Sequence, residues 1–327
     1  MLPLKYLFDN PALAKMLLDN WEYDPSSLDL FQYFRISANA IYPFKHNNTV
    51  CFLRFSPAQI KPKEQLLAEL DFLRYLQENN YPVMQAVPSK NGMELLQKST
   101  PWGEFNASVF QRVKGVQISE TIYDQRVLFA YGAALGRLHQ LSSRYTPTGA
   151  KRWTHTAVLD WCETTLKDLG AVDLHLQEIE LLRNAMSALP VTPQNYGLIH
   201  YDFEPDNVFF DDQTGACSVI DFDDTMYHWY GMDITQALAS LREEFAEEDF
   251  PNKQAVFMEG YRSEFETPQD LQDCMPVFRR FANAYQYTRV SLSVRESWDN
   301  EPEWMLGLRA KLNGLLARNA GQFGTPL

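Results

Sequence analysis

The sequence contains little cysteine, and no two cysteines stand at a metal-binding spacing. The four cysteines, Cys51, Cys162, Cys217 and Cys274, are far apart and form no CxxC motif. Cys51 and Cys217 lie in apolar stretches, where a thiol packs as a small hydrophobic group. The pattern therefore predicts neither a disulfide framework nor a zinc site, and it favours a reducing compartment.

Basic residues and long apolar runs are also scarce. Lys and Arg number 29 against 42 Asp and Glu, which gives a net charge of -13. This argues against a nucleic-acid partner, because phosphate backbones are bound by excess positive charge, and it suits a cationic substrate. No run approaches the roughly 18 apolar residues of a membrane span, and the N-terminal stretch carries acids and prolines that a signal peptide lacks. We expect a cytoplasmic protein without a membrane partner; nothing indicates its oligomeric state.

The chain divides into a β-rich first third and a helical remainder. Its 327 residues and 45% hydrophobic content suffice for two packed lobes. The patterns predict a helix near residues 11–21, three strands (DLFQYFRIS, ANAIYPFKH and TVCFLRF) with a turn at Asn47–Asn48, a helix (KEQLLAELDFLRYLQENN) and two strands (GMELLQK and ASVFQRVKG, closed by Gly115). After that we expect mostly helix, including the stretch from Met232 to about Ala320. The prediction is an α+β fold with lobes 1–113 and 114–327.

Two acidic motifs interrupt the helical part. HYDFEPDNVFFDD begins at His200, and SVIDFDD follows shortly after it. Short apolar runs precede Asp202 and Asp221, and another follows Asn207, so all three residues are expected at the ends of neighbouring strands. The turn DQTG should return the chain beside residues 208–210. The pattern predicts that two carboxylates and one amide converge.

Such a set of oxygen ligands suits Mg²⁺, which uses one or two protein carboxylates and completes its shell with water and phosphate. A carboxylate that is not needed for the metal can accept a proton from an attacking hydroxyl group. The alternative interpretation is ordinary turn chemistry, since Asp, Asn and Pro collect in turns. The ordered spacing favours the metal and phosphate interpretation.

This pattern resembles the aminoglycoside phosphotransferase and choline kinase superfamily, whose fold is like that of protein kinases. The family's catalytic loop, HGDxxxxN, corresponds to His200–Asn207, and its I-D-[FW] motif corresponds to Ile220–Phe222. The resemblance implies that Asp202 is the catalytic base and that Asn207 and Asp221 bind Mg²⁺. His200, with His139 and Asp233, would have a structural role near the loop.

The resemblance also implies an ATP site in the first lobe. Arg54, at the end of TVCFLRF, falls where the family has the basic residue that contacts nucleotide phosphates. Its expected ion-pair partner is Glu69 on the following helix, with Glu64 as the alternative. The segment from Gln111 to Val113 resembles the hinge whose backbone groups bind adenine. The sequence does not distinguish ATP from GTP.

Several residues depart from the family pattern. No GxGxxG motif is present, and residues 37–40 (SANA) occupy the expected phosphate turn. Tyr201 replaces the usual Gly. Glu204 stands where protein kinases often have Lys; beside the γ-phosphate it would require a cation such as an acceptor amine, and otherwise it would brace the loop.

The implied activity is transfer of the γ-phosphoryl group of ATP to a hydroxyl group of a small molecule, with an amine-bearing molecule as the favoured class. Amino sugars, choline-like amines, homoserine-like amino alcohols and thiosugars all remain open as acceptors. A protein Ser/Thr kinase is an alternative, although only eleven residues separate Asp221 from Asp233, which leaves no long segment to hold a peptide. A non-catalytic pseudokinase is the other alternative, and the presence of Asp202, Asn207 and Asp221 together argues against it.

Overall fold

The computed structural model describes residues 1–266 and 271–326. A β-sheet with one long helix forms the first part of the chain, and a mainly helical region follows, which agrees with the predicted α+β class. The division of the chain between residues 113 and 114 remains a prediction. In the described ranges, no helix is both long and apolar enough to cross a bilayer.

The first part is built around an antiparallel sheet. Its elements are α1 (Pro11–Leu18), β1 (Arg35–Ile36), β2 (Ala40–His46), β3 (Thr49–Pro57), α2 (Lys63–Glu78), β4 (Ala86–Val87), β5 (Leu96–Thr100) and β6 (Gly103–Gln111). The strand order is β1-β2-β3-β6-β4, and β5 also pairs with β6. Asn47 and Asn48 have φ values of 48° and 61°, as a two-residue hairpin turn with left-handed residues requires. The predicted turn is therefore confirmed.

The first predicted strand, DLFQYFRIS, is wrong over most of its length. Residues Pro25–Tyr33 form a 3-10 helix, and only Arg35–Ile36 pair as a strand. Pro25 occupies the first helical position, and the side chain of Asp24 accepts the N–H of Ser26 at 2.9 Å, so the chain begins a helix there. The aromatic residues that suggested β-structure pack on the sheet from this helix instead: the ring centroids of Phe31 and Tyr42 are 5.0 Å apart.

Helix α2 is confirmed, and its apolar face joins the two parts of the molecule. The leucines predicted to recur at helical spacing are all buried: Leu66, Leu70, Leu73 and Leu76. They belong to one core that also contains Leu128, Leu135 and Leu238 from the helical region. Full burial of a leucine side chain contributes roughly 1.5–3 kcal/mol, so this shared core fixes α2 against the helical part.

The boundaries of the next two predicted strands differ from expectation. β5 begins at Leu96 rather than near Gly92, and β6 runs from Gly103 to Gln111. Gly115 therefore lies four residues beyond the strand that it was expected to close. Its φ is +96°, and a Cβ there would collide with the backbone carbonyl of Phe210, so the position requires glycine.

The second part contains helices and short strands. Its elements are β7 (Val116–Gln117), α3 (Gln125–Ser142), α4 (His155–Asp168), α5 (Asp173–Ser187), β8 (Tyr196–Ile199), β9 (Val208–Asp211), β10 (Ala216–Val219), β11 (Met226–Trp229), α6 (Gly231–Glu243), α7 (Phe250–Glu264), α8 (Leu271–Ser293) and α9 (Glu303–Ala320). The helical prediction from Met232 onward is confirmed for the described residues, and its stretch 267–270 lies outside them.

Short strand pairs hold the two acidic motifs in place. β9 and β10 form the predicted hairpin, in which Gly215 has φ +72°. β11, which the sequence pattern did not predict, pairs with β8. Each motif is thus anchored by a strand on both sides.

His228 in β11 is buried without a partner for its Nε2 atom among the described residues. Burial, with a smaller contribution from His155, lowers its pKa well below the ordinary value of about 6.5. As the pH falls below about 6.5, the unfolded chain therefore takes up a proton that the folded protein excludes. The free energy of unfolding must therefore decrease as the pH falls.

We predict that His228→Phe flattens this pH dependence. The side chain lies among rings, with the centroid of Phe281 at 4.8 Å, so a phenyl ring suits the site. Urea denaturation between pH 7 and 5 should show a slope lower by up to about 1.4 kcal/mol per pH unit, the value for one proton. His46→Gln, in the β2–β3 hairpin, is the control. Equal slopes for His228→Phe and wild type would contradict the prediction.

Candidate active site

The loop between β8 and β9 brings the predicted residues together. Asn207 donates from Nδ2 to the backbone carbonyl and to Oδ2 of Asp202, both at 2.9 Å. The N–H of Ile220 donates to the carbonyl of Asn207 at 3.0 Å, which places Asp221 beside that residue. The predicted convergence of two carboxylates and one amide is therefore present.

The carboxylate of Asp233 holds the start of this loop through hydrogen bonds. It is fully buried in the first turn of α6. It accepts the backbone N–H groups of His200 and Tyr201 at 2.8 and 2.6 Å, and Nε2–H of His139 at 3.0 Å. Three donors on two elements thus converge on one side chain, which fixes the start of the catalytic loop.

Both ring nitrogens of each histidine at this site form hydrogen bonds. Burial lowers the pKa of His139 and of His200, so both rings are neutral near pH 7. Nδ1 of His139 then accepts from the hydroxyl group of Tyr261 at 2.8 Å. His200 donates from Nε2 to the carbonyl of Ile220 at 2.9 Å and accepts the N–H of Asp202 at 3.3 Å. With both ring nitrogens engaged, His200 joins the two motifs and is not free to transfer a proton.

Two residues of the site have left-handed backbone conformations. The φ values of Tyr201 and Asp221 are 71° and 62°. Such values are uncommon for residues other than glycine, least so for Asp and Asn, and they persist where the surroundings enforce them. Here the bond from Tyr201 to Asp233 enforces one of them.

The carboxylate of Asp221 accepts no hydrogen bond from the described residues. Burial and the neighbouring Asp223 raise its pKa to about 6, against the opposing effects of Arg54 and Lys61. Asn207 donates from Nδ2 to Asp202, and its Oδ1 likewise accepts no hydrogen bond in the described part of the chain. The site therefore offers one carboxylate and one amide oxygen to a cation, which is the donor set that Mg²⁺ prefers.

The carboxyl group of Asp202 has a raised pKa and a fixed orientation. Burial raises its pKa to about 8, with further contributions from Asp224 and Glu204. The bond from Asn207 fixes Oδ2, so the orientation of the carboxylate is set before any substrate binds.

Three cations meet the acidic segment that follows Asp221, and the sequence motifs identified none of them. They are Lys61 before α2, Arg152 before α4 and Arg289 in α8. Lys61 pairs with Asp223, and Arg289 pairs with Asp224 at 2.6 Å. Despite burial, which acts in the opposite direction, these cations hold the pKa of both carboxyl groups below the ordinary value.

Arg152 holds the same segment through its backbone. Its Nε donates to the carbonyl of Thr225 at 2.7 Å, one terminal nitrogen donates to the carbonyl of Asp223, and the other reaches Gln65 in α2 at 2.9 Å. No motif marks this residue in the sequence, because its partners are backbone atoms contributed by distant segments.

Arg54 forms the expected ion pair with Glu69 rather than with Glu64. Two terminal nitrogens of Arg54 donate to the two carboxylate oxygens at 2.8 and 2.7 Å. Both side chains are buried, and the guanidinium group lies 4.6 Å from the ring centroid of Phe110. The charge of Arg54 also acts on Asp221, so it faces the candidate metal site.

The hinge segment offers one free donor. The N–H of Gln111 donates to Gln85 at 2.9 Å, and that of Arg112 donates to Val50 at 3.0 Å. The N–H of Val113 has no acceptor among the described residues. Of these three groups, Val113 could donate to a bound base.

Glu204 points towards α6. Burial, Asp206 and Glu243 raise its pKa, and the neighbouring Ser240 of that helix acts in the opposite direction. This contact favours the loop-bracing interpretation of Glu204 over a position beside a phosphate.

A cavity of about 260 Å³ lies next to the acidic segment. Its walls include Lys61, Trp153, Trp161, Asp224, Tyr285 and Arg289. The rings of Trp153 and Trp161 have centroids 6.3 Å apart, and Trp161 meets Tyr285 edge to face at 5.8 Å. Arg289 already covers Tyr285, with 5.1 Å from its guanidinium carbon to the ring centroid. The cavity is therefore small, partly aromatic and bordered by both charge signs.

Comparisons with known proteins agree with this geometry. The model of the phosphotransferase enzyme family matches residues 38–265. The chain is 23% identical over 302 residues to the amicoumacin kinase of Bacillus subtilis (strain 168), covering 86% of this chain and 87% of that protein.

Two solved structures are similar over most of their length. An amicoumacin kinase in complex with AMP-PNP, Ca²⁺ and Ami has a TM-score of 0.75 and 21% identity, covering 99% of this chain and 97% of that one. A microcompartment-associated aminopropanol kinase has a TM-score of 0.67 and 20% identity, covering 95% of each chain. These similarities confirm the predicted kinase-like fold.

We predict that Asp233→Ala destabilises the protein strongly. The change leaves three buried donors without an acceptor. Each such donor lowers the free energy of unfolding by about 1–3 kcal/mol. The free energy of unfolding in urea should fall by at least about 3 kcal/mol. Glu248→Ala, which removes an exposed acid beyond the end of α6, is the control and should have little effect. Similar unfolding midpoints for Asp233→Ala and Glu248→Ala would show that the loop does not depend on this carboxylate.

Proposed function

The chain belongs to the phosphotransferase enzyme family, and we propose that it transfers the γ-phosphoryl group of ATP, bound with Mg²⁺, to a hydroxyl group of a small, amine-bearing molecule. One observation carries the proposal. Asn207 orients Asp202 through its amide nitrogen, while its amide oxygen and the neighbouring Asp221 carboxylate remain without donors. That arrangement provides a positioned base beside two oxygen-bearing side chains that could bind a metal ion.

In this proposal the nucleotide lies against the first lobe. The N–H of Val113 donates to the adenine ring, and the segment from Gln111 contributes its remaining backbone groups. Arg54, held by Glu69, directs positive charge at the phosphates. The similar amicoumacin kinase structure contains AMP-PNP, which supports ATP as the donor.

Asn207 and Asp221 hold the metal ion. When bound, Mg²⁺ neutralises charge on the phosphate oxygens of ATP and keeps them in position. The similar structure contains Ca²⁺, which supports a divalent cation in general, and the small number of protein oxygen ligands, beside phosphates, favours Mg²⁺ in particular.

Asp202 acts on the acceptor in its ionised form, which the charge of a bound divalent cation would favour by lowering the pKa of the carboxyl group. The hydroxyl oxygen attacks the γ-phosphorus, the bond from that phosphorus to the ADP oxygen breaks, and the hydroxyl proton passes to the Asp202 carboxylate. The bond from Asn207 keeps that carboxylate in one orientation, so little reorganisation is needed when the acceptor binds.

The cavity next to Asp224 suits a small cationic acceptor. Its volume of about 260 Å³ lies below the roughly 300–1,000 Å³ of drug-sized sites. Trp153 and Trp161 offer aromatic surfaces that attract ammonium groups, and Asp223 and Asp224 border the cavity beside three basic side chains. The name of one similar kinase, for aminopropanol, supports an amine-bearing class. A protein substrate is less well supported, because the short interval after Asp221 is filled by a 3-10 turn and β11.

We predict that Asp221→Asn abolishes turnover while leaving the protein folded. Asparagine tolerates the left-handed backbone at this position, whereas alanine would be strained. The change also removes repulsion from Asp223, so the unfolding temperature should stay equal or rise. Mg²⁺-dependent release of ADP should fall by at least about 100-fold, with Asp212→Asn on the exposed β9–β10 turn as the control. Turnover near the wild-type rate would remove Asp221 from the metal site.

We predict that amine-bearing alcohols are the best acceptors. An ammonium group paired with a carboxylate contributes about 1.5–3 kcal/mol, so 1-amino-2-propanol should exceed propane-1,2-diol in kcat/KM by roughly tenfold or more. A coupled assay for ADP would compare such pairs of amine and deaminated analogue, and the preference should weaken at high salt. A neutral or anionic metabolite as the best acceptor would contradict the amine assignment but not the phosphotransferase activity.

A further inference from the structure

Lys61 lies in the segment between β3 and α2, outside every motif considered above. We propose that Lys61 binds the terminal phosphates of ATP and is a second phosphate-contacting cation beside Arg54. This inference rests on the proposed function, because it assigns a further residue to the same nucleotide site. It concerns binding and positioning of the nucleotide, and Lys61 takes part in no proton transfer.

The two partners of Lys61 lie on different sides of the cleft. Its Nζ donates to Oδ1 of Asn39 at 3.0 Å and also bonds Asp223. Asn39 belongs to the turn between β1 and β2, which is the phosphate turn expected from the sequence. Asp223 follows Asp221 by two residues. Lys61 therefore spans the space between the phosphate turn and the candidate metal ligand.

A lysine ammonium group has three N–H donors. Two of them are used on Asn39 and Asp223, so one remains for a ligand. The side chain is 17% exposed, while that of its partner Asp223 is only 6% exposed. Lys61 also lines the 260 Å³ cavity together with Ala38 of the phosphate turn. The spare donor can therefore be reached from the cleft.

The backbone around Lys61 is fixed. Its carbonyl accepts Nδ2 of the buried Asn106 at 3.0 Å, and its N–H donates to Pro57 at 3.2 Å. With the main chain and two of the ammonium protons held, the remaining donor is positioned before the nucleotide arrives. Such preorganisation is what electrostatic stabilisation of a transferring phosphoryl group requires.

The neighbouring arginines have less freedom to bind a phosphate. Arg54 is held on both carboxylate oxygens of Glu69 and is 8% exposed. Arg152 uses all three of its guanidinium nitrogens on backbone carbonyls. Arg289 is paired with Asp224 and stacked on Tyr285. ATP brings several negative charges, and Lys61 combines a compact charge, an unused donor and access to the cleft.

A purely structural role for Lys61, as an ion pair that joins two segments, predicts different behaviour. Loss of that pair would weaken the binding of adenosine, AMP, ADP and ATP alike, and removal of either partner would have the same effect. Phosphate binding predicts instead a loss that grows with the number of phosphates and that follows Lys61 alone.

The test measures dissociation constants of adenosine, AMP, ADP and Mg·ATP by calorimetry for the full chain. Lys61→Met keeps the length of the side chain but removes its charge and donors. A charge-assisted hydrogen bond corresponds to about tenfold to a hundredfold in affinity, so Mg·ATP should bind at least about tenfold more weakly. Affinity for adenosine should change less than about twofold, which also shows that the variant is folded. Lys63→Met, two residues further along the chain, is the matched control.

Asp223→Asn is the second variant, and it keeps the experiment decisive if Lys61→Met does not fold. It breaks the ion pair but leaves the ammonium group free for phosphate, so Mg·ATP should bind as tightly as in wild type or more tightly. Equal losses for adenosine and all three nucleotides, unchanged ATP affinity in Lys61→Met, or weaker ATP binding in Asp223→Asn would each overturn the role of Lys61 while the proposed function stands. A wild-type protein that binds no nucleotide would overturn both.

Discussion

The catalytic loop depends on one buried carboxylate. Asp233 accepts two successive backbone N–H groups of the loop and a ring N–H of His139, and it is fully enclosed. Buried charge is tolerated only where donors surround it, so the loop and α6 must close on each other together. The orientation of Asp202 and Asn207 follows from that closure, because both residues extend from the segment that Asp233 holds.

The acids of the cleft impose a second constraint. Asp223 and Asp224 add negative charge beside Asp221. The segment therefore carries more carboxylates than the single one proposed to bind the metal ion. The cations that balance them come from elements far apart in the chain: Lys61 before α2, Arg152 before α4 and Arg289 in α8. Through these contacts the segment after Asp221 connects the sheet to the helical region. The same charges that shape the site therefore also join the two parts of the molecule.

The sequence predicted what is local and missed what tertiary structure creates. The spacing from Asp202 to Asn207 and the turn before Ser218 bring two carboxylates and one amide together through two short strands. The ion pair of Arg54 with Glu69 was implied by the resemblance to the family. The two-residue strand Val116–Gln117 is too short to show alternation. The helix at Pro25–Tyr33 has aromatic residues that equally suit a strand. Lys61 and Arg152 gain their partners only when distant segments meet.

Tyr201 shows how a departure from the family pattern can be accommodated. A glycine would adopt its φ of 71° without strain, yet tyrosine stands there with its ring buried against Tyr285 at a centroid distance of 5.4 Å. Tyr285 belongs to α8, one turn before Arg289, which pairs with Asp224. The ring thus links the catalytic loop to the helix that borders the cavity, and the bond from its N–H to Asp233 offsets the backbone strain. A glycine would remove the strain and the link together, which is a physical reason for tyrosine at this position.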